Sequence, residues 1–257
     1  MATSDTLKDF LIDAPEIYLS SLSVDCVIFG FHDNQLKVLL LKMKNVKQWA
    51  LPGGFILKDE DMDRAARRVL RERTGLSEIF LQQFNVFGKP KRSDPHFHRQ
   101  LFEKNGIEMK NDHWLFQRFV TVGYYALVEY SHVNPRADDF SDECSWRDID
   151  DLPYLMMDHG EILKKALETL RSHLSYHPVG YNLLSEKFTM PQLQKLYETI
   201  LNKKLDRRNF QRKILSYGIL NRLKEVKVGV AHKAPYLYRF DLRKYQQALK
   251  EGLQGGW

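Results

Sequence analysis

Between Trp49 and Leu76 the chain carries a run whose spacing leaves little freedom in how it folds. Trp49-Ala50-Leu51-Pro52-Gly53-Gly54 is turn-rich, and from about Asp59 to Thr74 the residues Met62, Ala65, Ala66, Val69 and Leu70 recur at helical spacing. Gly75 stands where a glycine ends a helix. A turn leading into a helix of fixed phase is therefore expected, with strands around it. Val24 to Phe31 and Leu36 to Met43 are apolar runs separated by His32-Asp33-Asn34-Gln35, which suits a β-hairpin. Ile79 to Phe87, Phe119 to Glu129 and the residues around Trp146 supply further strands, and Asp158 is placed to cap a helix running to about Ser172. Asp158-His159 reads first as that cap and first turn, and also as a possible ligand contact. Trp49 reads as core or pocket wall. The stretch from Lys89 to Gln117 is long, polar and His-bearing, and reads as an insertion loop. Its His96, His98 and His113 have neither cysteine partners nor a fixed ligand spacing, so no metal site is expected there.

The charge is divided unevenly along the chain. Of 39 Lys and Arg and 33 Asp and Glu in all, residues 176–257 hold 16 and 6, a net of +10, and the first 175 residues hold 23 and 27, a net of −4. The basic end attracts polyanions and the rest repels them, which points to a nucleic-acid or anionic-membrane partner for the basic end. The division is placed near Ser175-Tyr176-His177-Pro178, giving domains 1–175 (with an N-terminal segment 1–20) and 176–257. The N-terminus is polar and acidic, and no apolar run approaches the roughly 20 residues a membrane helix needs, so a cytoplasmic protein with no membrane contact is expected. Cys26 and Cys144 are read as reduced packing residues.

The basic end has a motif behind its charge. From Thr189 to Asn202 a capping threonine and an N-terminal proline open a helix with Leu193, Leu196, Tyr197 and Ile200 on one face. After a link through Lys203, Lys204 and Leu205, Asp206 caps a second helix in which Phe210, Ile214 and Tyr217 face inward. The other face presents Arg208, Gln211 and Arg212, with Arg207 and Asn209 in the first turn and Lys213 beside them. Arginine matches guanine, and Asn or Gln matches adenine, in the major groove. Two helices joined by a tight turn, the second basic, read as a helix-turn-helix. Ile219 to Leu223, Glu225 to Val230 and Tyr236 to Phe240 then alternate apolar and polar residues around a Gly- and Pro-bearing turn, the hairpin of a wing, with Lys227, His232 and Lys233 near its tip as phosphate contacts. A small helical appendage for dimerisation explains the apolar faces but not the charge.

Gly54-x5-Glu60-x7-Arg68-Val69-Leu70-Arg71-Glu72-Arg73-Thr74-Gly75-Leu76 resembles the Nudix box, Gx5Ex7REUxEExGU with U aliphatic, at seven of its nine specified positions. The resemblance implies an α/β/α sandwich around a mixed sheet over about residues 20–172, with Glu60 and Arg68 as a pair that holds the loop. It also implies a divalent cation held by carboxylates at helix spacings i, i+3 and i+4, which share a face. Those positions are Val69, Glu72 and Arg73, so one carboxylate of three remains. A +1 charge about 5 Å from a divalent ion opposes its binding by about 6 kcal/mol at an effective dielectric of 20. The expectation is a domain that binds a small molecule without hydrolysing it, with no metal, no cofactor and no catalytic residue.

The degenerate box together with GYNLL (Gly180 to Leu184), FTMPQLQKLYE (Phe188 to Glu198), LDRRNFQRK (Leu205 to Lys213) and PYLYRF (Pro235 to Phe240) resembles the bacterial Nudix-related transcriptional regulators, which include regulators of NAD metabolism and of arabinose and other sugar use. That resemblance implies an α/β Nudix domain followed by a winged helix-turn-helix. It implies a homodimeric regulator, a repressor by expectation, that binds a palindromic operator in double-stranded DNA and releases it when a sugar or ADP-ribose-like effector occupies the Nudix domain. Lys42, Phe55, Phe87 and Tyr124 are candidate effector contacts. The competing expectations are a metal-dependent nucleoside-diphosphate hydrolase and an RNA-binding module, the latter disfavoured because no pair of stacking aromatics marks an exposed face.

Overall fold

The computed structural model describes residues 14–77, 79–92, 94–108, 110–174, 176–226 and 234–253. Its first strands, β1 (Tyr18–His32) and β2 (Gln35–Met43), are joined through Asp33 and Asn34, both at positive φ, 49° and 62°. That is the backbone a two-residue hairpin turn demands, and Asp and Asn tolerate it better than other side chains. There follow β3 (Trp49–Ala50), β4 (Gly53–Leu57), helix α1 (Met62–Thr74), β5 (Phe80–Phe87), α2 (Pro95–Lys104), β6 (Val120–Val128), β7 (Ser141–Asp148) and α3 (His159–His173). The strands form one sheet in the order β3-β2-β1-β6-β5, with β4 antiparallel to β1 and β7 antiparallel to β2. Two compact units divide the chain. The first comprises residues up to Phe29, Lys37–Leu127 and His132–Ala166; the second comprises Gly30–Leu36, Val128–Ser131 and the chain from Leu167.

α1 begins at Met62 rather than near Asp59, because Asp61 takes the cap position and accepts from the Arg64 amide at 2.8 Å. It ends at Gly75, at φ 77°, whose N–H donates to the Arg71 carbonyl at 2.8 Å. Ala65, Ala66, Val69 and Leu70 are buried beneath it, and the Cys26 thiol of β1 reaches the Ala66 carbonyl at 3.9 Å. The loop into the helix is held as the resemblance implies. Arg68 donates through Nε and Nη2 to the two oxygens of Glu60 at 2.9 and 2.8 Å, and through Nη2 to the Phe55 carbonyl at 2.8 Å. Glu60 also accepts from the Leu57 amide at 3.1 Å. Cys26 is buried, Cys144 partly so, and both are free thiols.

One sequence expectation is corrected here. The stretch from Lys89 to Gln117 is not an open loop: Asp94 caps α2 by accepting from the His96 and Phe97 amides, and a 3-10 turn follows at Trp114–Phe116. Phe97, Leu101 and Phe102 are buried on one side of α2, packed into clusters with Ile107, Trp114, Leu115 and Phe119 and with Leu41 and Met43 of β2. Three inward residues scattered among charges leave too weak an apolar stripe to be read as a helix.

The second unit contains β8 (Phe188–Thr189), α4 (Met190–Leu201), α5 (Arg207–Ser216), β9 (Leu220–Val226), β10 (Tyr236–Phe240) and α6 (Leu242–Glu251), with β10 antiparallel to both β8 and β9. α4 opens on a capping box: Thr189 accepts from the Gln192 amide while the Gln192 side chain accepts from the Thr189 amide. α6 was not anticipated. Asp241 caps it, and Tyr245 is buried with its hydroxyl donating to the Pro178 carbonyl at 2.8 Å. Among the described residues no helix is long and apolar enough to cross a membrane.

The Arg68 bond to Glu60 holds that carboxyl below the ordinary glutamate range. A depressed carboxylate contributes stability that is present above the unfolded pKa and is lost as pH falls through the folded one. Glu60→Gln is therefore expected to cost about 1–3 kcal/mol at neutral pH, and the difference from wild type should shrink as pH drops below the ordinary glutamate value. Urea titrations at stepped pH check this, and a constant difference from pH 7 to pH 3 would contradict it.

Candidate functional site

The first unit encloses a cavity of about 190 Å³. Apolar side chains dominate its walls: Leu41 and Met43 from β2, Phe55 from β4, Leu101 and Phe102 from α2, then Leu115, Phe119, Phe140, Met156 and Met157. The stretch expected to be a loop thus supplies part of the wall. Phe55 meets Trp114 and Phe119 at ring-centroid distances of 4.8 and 5.4 Å.

Against these walls lies a buried polar cluster. Asp25, Arg92 and His159 are 7%, 5% and 4% exposed. Arg92 donates through Nε and Nη2 to the two oxygens of Asp158 at 2.9 and 3.1 Å, through Nη1 to the Phe119 carbonyl at 3.2 Å, and through Nη2 to Asp25 Oδ2 at a longer 3.4 Å. The Asp158 carboxylate, expected to cap α3, is thus engaged by this arginine. His159 Nδ1 accepts from the Leu51 amide at 2.9 Å, and Nε2 lies 4.0 Å from Asp25 Oδ1. Burial pushes the pKa of His159, and likewise of His98, below the usual imidazole range, favouring the neutral rings.

Of the four effector contacts expected from sequence, Phe55 alone lines the cavity. Lys42 falls between Leu41 and Met43, so the pleat turns it to the opposite side of β2. Tyr124 is 2% exposed and donates its hydroxyl to Asp63 of α1 at 2.6 Å. Phe87 packs against Phe84 at the end of β5. Trp49 is buried and stacks with the Arg147 guanidinium, 4.3 Å from its ring centroid, outside the cavity wall. The polar residues that do line the cavity, Ser23, Asp25, Arg92, His98, Asp138 and His159, have no ligand assigned from sequence, apart from the possibility raised for His159. Asp25 carried a signal, a lone charge inside the apolar run from Val24 to Phe31.

On α1, the positions that the Nudix box gives to metal ligands do not fit a divalent cation. Val69 is 1% exposed, and a Cβ on Gly54 would stand 2.7 Å from its Cγ2, so the glycine lets the valine pack against the loop. Arg73 pairs with Asp138 at 3.2 Å, and Glu72 lies 3.6 Å from Arg68. Hard cations need several oxygen ligands, and here the face offers one carboxylate beside two guanidinium groups. Among the described residues no group of three His, Cys, Asp or Glu is arranged to hold a metal ion.

In the second unit, α5 buries Phe210 and Ile214 and exposes Arg207, Arg208, Asn209 and Arg212, with Gln211 and Lys213 half-buried. Asp206 caps it by accepting from the Asn209 amide at 2.9 Å, and Arg212 Nη2 donates to Asn209 Oδ1 at 2.9 Å. The turn between α4 and α5 is pinned by side chains that the sequence reading passed over. Glu198 accepts from the Leu205 amide and Gln194 donates to the Leu205 carbonyl, both at 2.9 Å. Lys227, His232 and Lys233, expected at the wing tip, lie outside the described residues.

Removing Arg92 leaves two buried carboxylates without their cation. Breaking a buried ion pair by deleting one partner costs about 3–5 kcal/mol, so Arg92→Met should lower stability by that order at pH 7. Urea unfolding at pH 7 measures this; a variant as stable as wild type would remove the cluster from the account.

Comparison with known proteins places these observations in a family. Residues 20–169 match the NUDIX domain model, and residues 180–240 match the model of the NrtR DNA-binding winged helix domain. The ADPR responsive transcriptional repressor NtrR of Acinetobacter baylyi is 30% identical over 231 residues, covering 87% of this chain and 83% of that protein. NrtR of Shewanella oneidensis, crystallised with a 27mer DNA, superposes with a TM-score of 0.70 at 26% identity, over 92% of this chain and 99% of that one. An ADP-ribose pyrophosphatase of Methanocaldococcus jannaschii is 27% identical over 138 residues, 52% of this chain and 68% of that protein. A Nudix fold with Val69 and Arg73 in its box, followed by a basic winged helix, places this chain in the family of Nudix-related transcriptional regulators.

Proposed function

We propose that this chain represses transcription by binding operator DNA through α5 and the wing, and that an ADP-ribose-like molecule in the first-unit cavity releases it without being hydrolysed. The observation that carries the reading is the solvent face of α5, where Arg207, Arg208, Asn209 and Arg212 stand exposed on a helix locked to α4 by the Glu198 and Gln194 bonds. Such side chains on the second helix of a helix-turn-helix reach base edges in the major groove. The Acinetobacter relative, described as an ADPR-responsive repressor, and the Shewanella protein crystallised on DNA support the same division of labour. The effector class follows that relative, in preference to a pentose. The cavity of about 190 Å³ has room for one ring system, so a longer ligand enters by one end. The protein is taken to act as a homodimer in the cytoplasm, with one α5 in each of two successive major grooves of a palindrome, and effector and DNA affinities are then reciprocally coupled.

The absence of hydrolysis is supported by the packing of α1. Val69 is inside the core, and Arg73 spends its charge on Asp138. The second reading, a hydrolase working through Glu72 and carboxylates such as Asp59, Glu60 or Asp61, is favoured by the Methanocaldococcus relative.

Selection of duplexes from a random pool gives an operator on which binding can be measured. Arg208→Ala and Arg212→Ala should each weaken operator binding by about tenfold or more, the worth of a good base contact, and relax sequence preference. Full operator affinity in both variants would show that α5 is not the reading helix. ADP-ribose should release the operator where arabinose and other pentoses do not. Incubation with ADP-ribose and Mg²⁺ or Mn²⁺ should leave it intact, and turnover abolished by Glu72→Gln would establish the hydrolase instead.

A further inference from the structure

The polar cluster in the cavity is not electrically balanced, and this says which end of a ligand it receives. Arg92 is the one guanidinium facing two carboxylates, and its two short bonds go to Asp158. Asp25 keeps a single 3.4 Å contact from Arg92, with His159 Nε2 no nearer than 4.0 Å. A buried carboxylate with this much unused acceptor capacity is costly unless something donates to it. A second polar group lines the same cavity: the buried ring of His98 interacts with the Asp94 backbone one turn back on α2, and its Nδ1 makes no side-chain hydrogen bond. The walls around both are aromatic and aliphatic, Phe55, Phe102 and Phe119 among them.

We propose that this cavity takes the nucleobase end of its ligand, a flat aromatic heterocycle bearing an exocyclic amine, with Asp25 accepting from the amine and His98 bonding to a ring nitrogen or its hydrogen. The inference rests on the reading of the first unit as the effector-binding domain and adds which part of the effector is read there. A phosphate is repelled by the surplus negative charge of Asp25 and Asp158 over Arg92, and four of that arginine's five N–H donors are already bonded. A free sugar satisfies Asp25 but leaves the aromatic walls facing hydroxyls. A planar base with an amine meets both demands: ring faces against Phe55, Phe102 and Phe119, and a donor for the carboxylate. Arg92 acts here as a positioning residue, holding Asp25 in place through Nη2.

Adenosine and inosine separate this idea from its rivals: they share ribose and the purine skeleton, and inosine replaces the amine at C6 by a carbonyl and the neighbouring acceptor N1 by an N–H, so that the donor and acceptor positions facing Asp25 and His98 are exchanged. Isothermal titration of the full chain should show adenosine binding at least about tenfold more tightly than inosine, the effect of losing a bond to a charged acceptor and gaining a repulsion. Ribose 5-phosphate should fail to compete. Asp25→Asn, whose amide can itself donate to the inosine carbonyl, should erase or reverse the preference, with a thermal melt confirming that the variant is folded. The wild-type comparison stands even if that variant does not fold. Equal affinity for the two nucleosides, no binding of either, or efficient competition by ribose 5-phosphate overturns the assignment. Operator release by ADP-ribose is a separate measurement, so a failure of the effector reading and a failure of the base assignment remain distinguishable.

Discussion

A single buried guanidinium holds together what the first unit builds from distant parts of the chain. Arg92 reaches Asp25 in the middle of β1, the Phe119 carbonyl at the entry to β6 and Asp158 at the start of α3. Those segments are far apart in sequence, and no short-range rule brings them together. A guanidinium suits the role because its planar fork can serve several acceptors at once while its charge offsets nearby carboxylates. The cavity lies beside this junction, walled by Leu41 and Met43 of β2, Phe55 of β4 and Leu101 and Phe102 of α2.

The Nudix box region shows how two layers of one motif come apart. Its scaffold layer is intact, with Glu60 and Arg68 closing the loop through a bidentate pair and the Phe55 carbonyl. At the positions the box gives to metal ligands, Val69 packs against Gly54 and Arg73 pairs with Asp138. The loop is held chiefly by Glu60, Arg68 and the Phe55 carbonyl, and of the ligand positions Glu72 alone pairs with that scaffold, at 3.6 Å from Arg68.

Sequence reading recovered what depends on local spacing. The hairpin at Asp33-Asn34, the end of α1 at Gly75, the Thr189 cap and the Asp206 cap are each set by a few neighbouring residues, so their chemistry is visible in the string. What escaped it depends on pairings across the fold. α2 was hidden because only Phe97, Leu101 and Phe102 turn inward amid charged neighbours. Arg92 lies in the same misread stretch, and its partners are 66 and 67 positions away. Lys42 and Tyr124 were assigned to the pocket without knowing which side of their strands faced it, a matter of register that one residue reverses. The basic face of α5 was legible because a helix phase can be counted; the Glu198 and Gln194 bonds that fix its angle to α4 were not.

The Arg73 pair with Asp138 also constrains where this sequence can go by mutation. Replacing Arg73 by a glutamate alone sets two carboxylates within a few ångströms of each other, at a side chain that is only 12% exposed, and replacing Val69 alone puts a charge into a tightly packed site beneath Gly54. Each single step toward a metal-binding box therefore passes through a less stable protein before any cation can compensate it. The packing thus resists substitution at these two box positions one at a time, whereas the apolar cavity wall, built from separate side chains of several elements, accommodates single changes without exposing a charge.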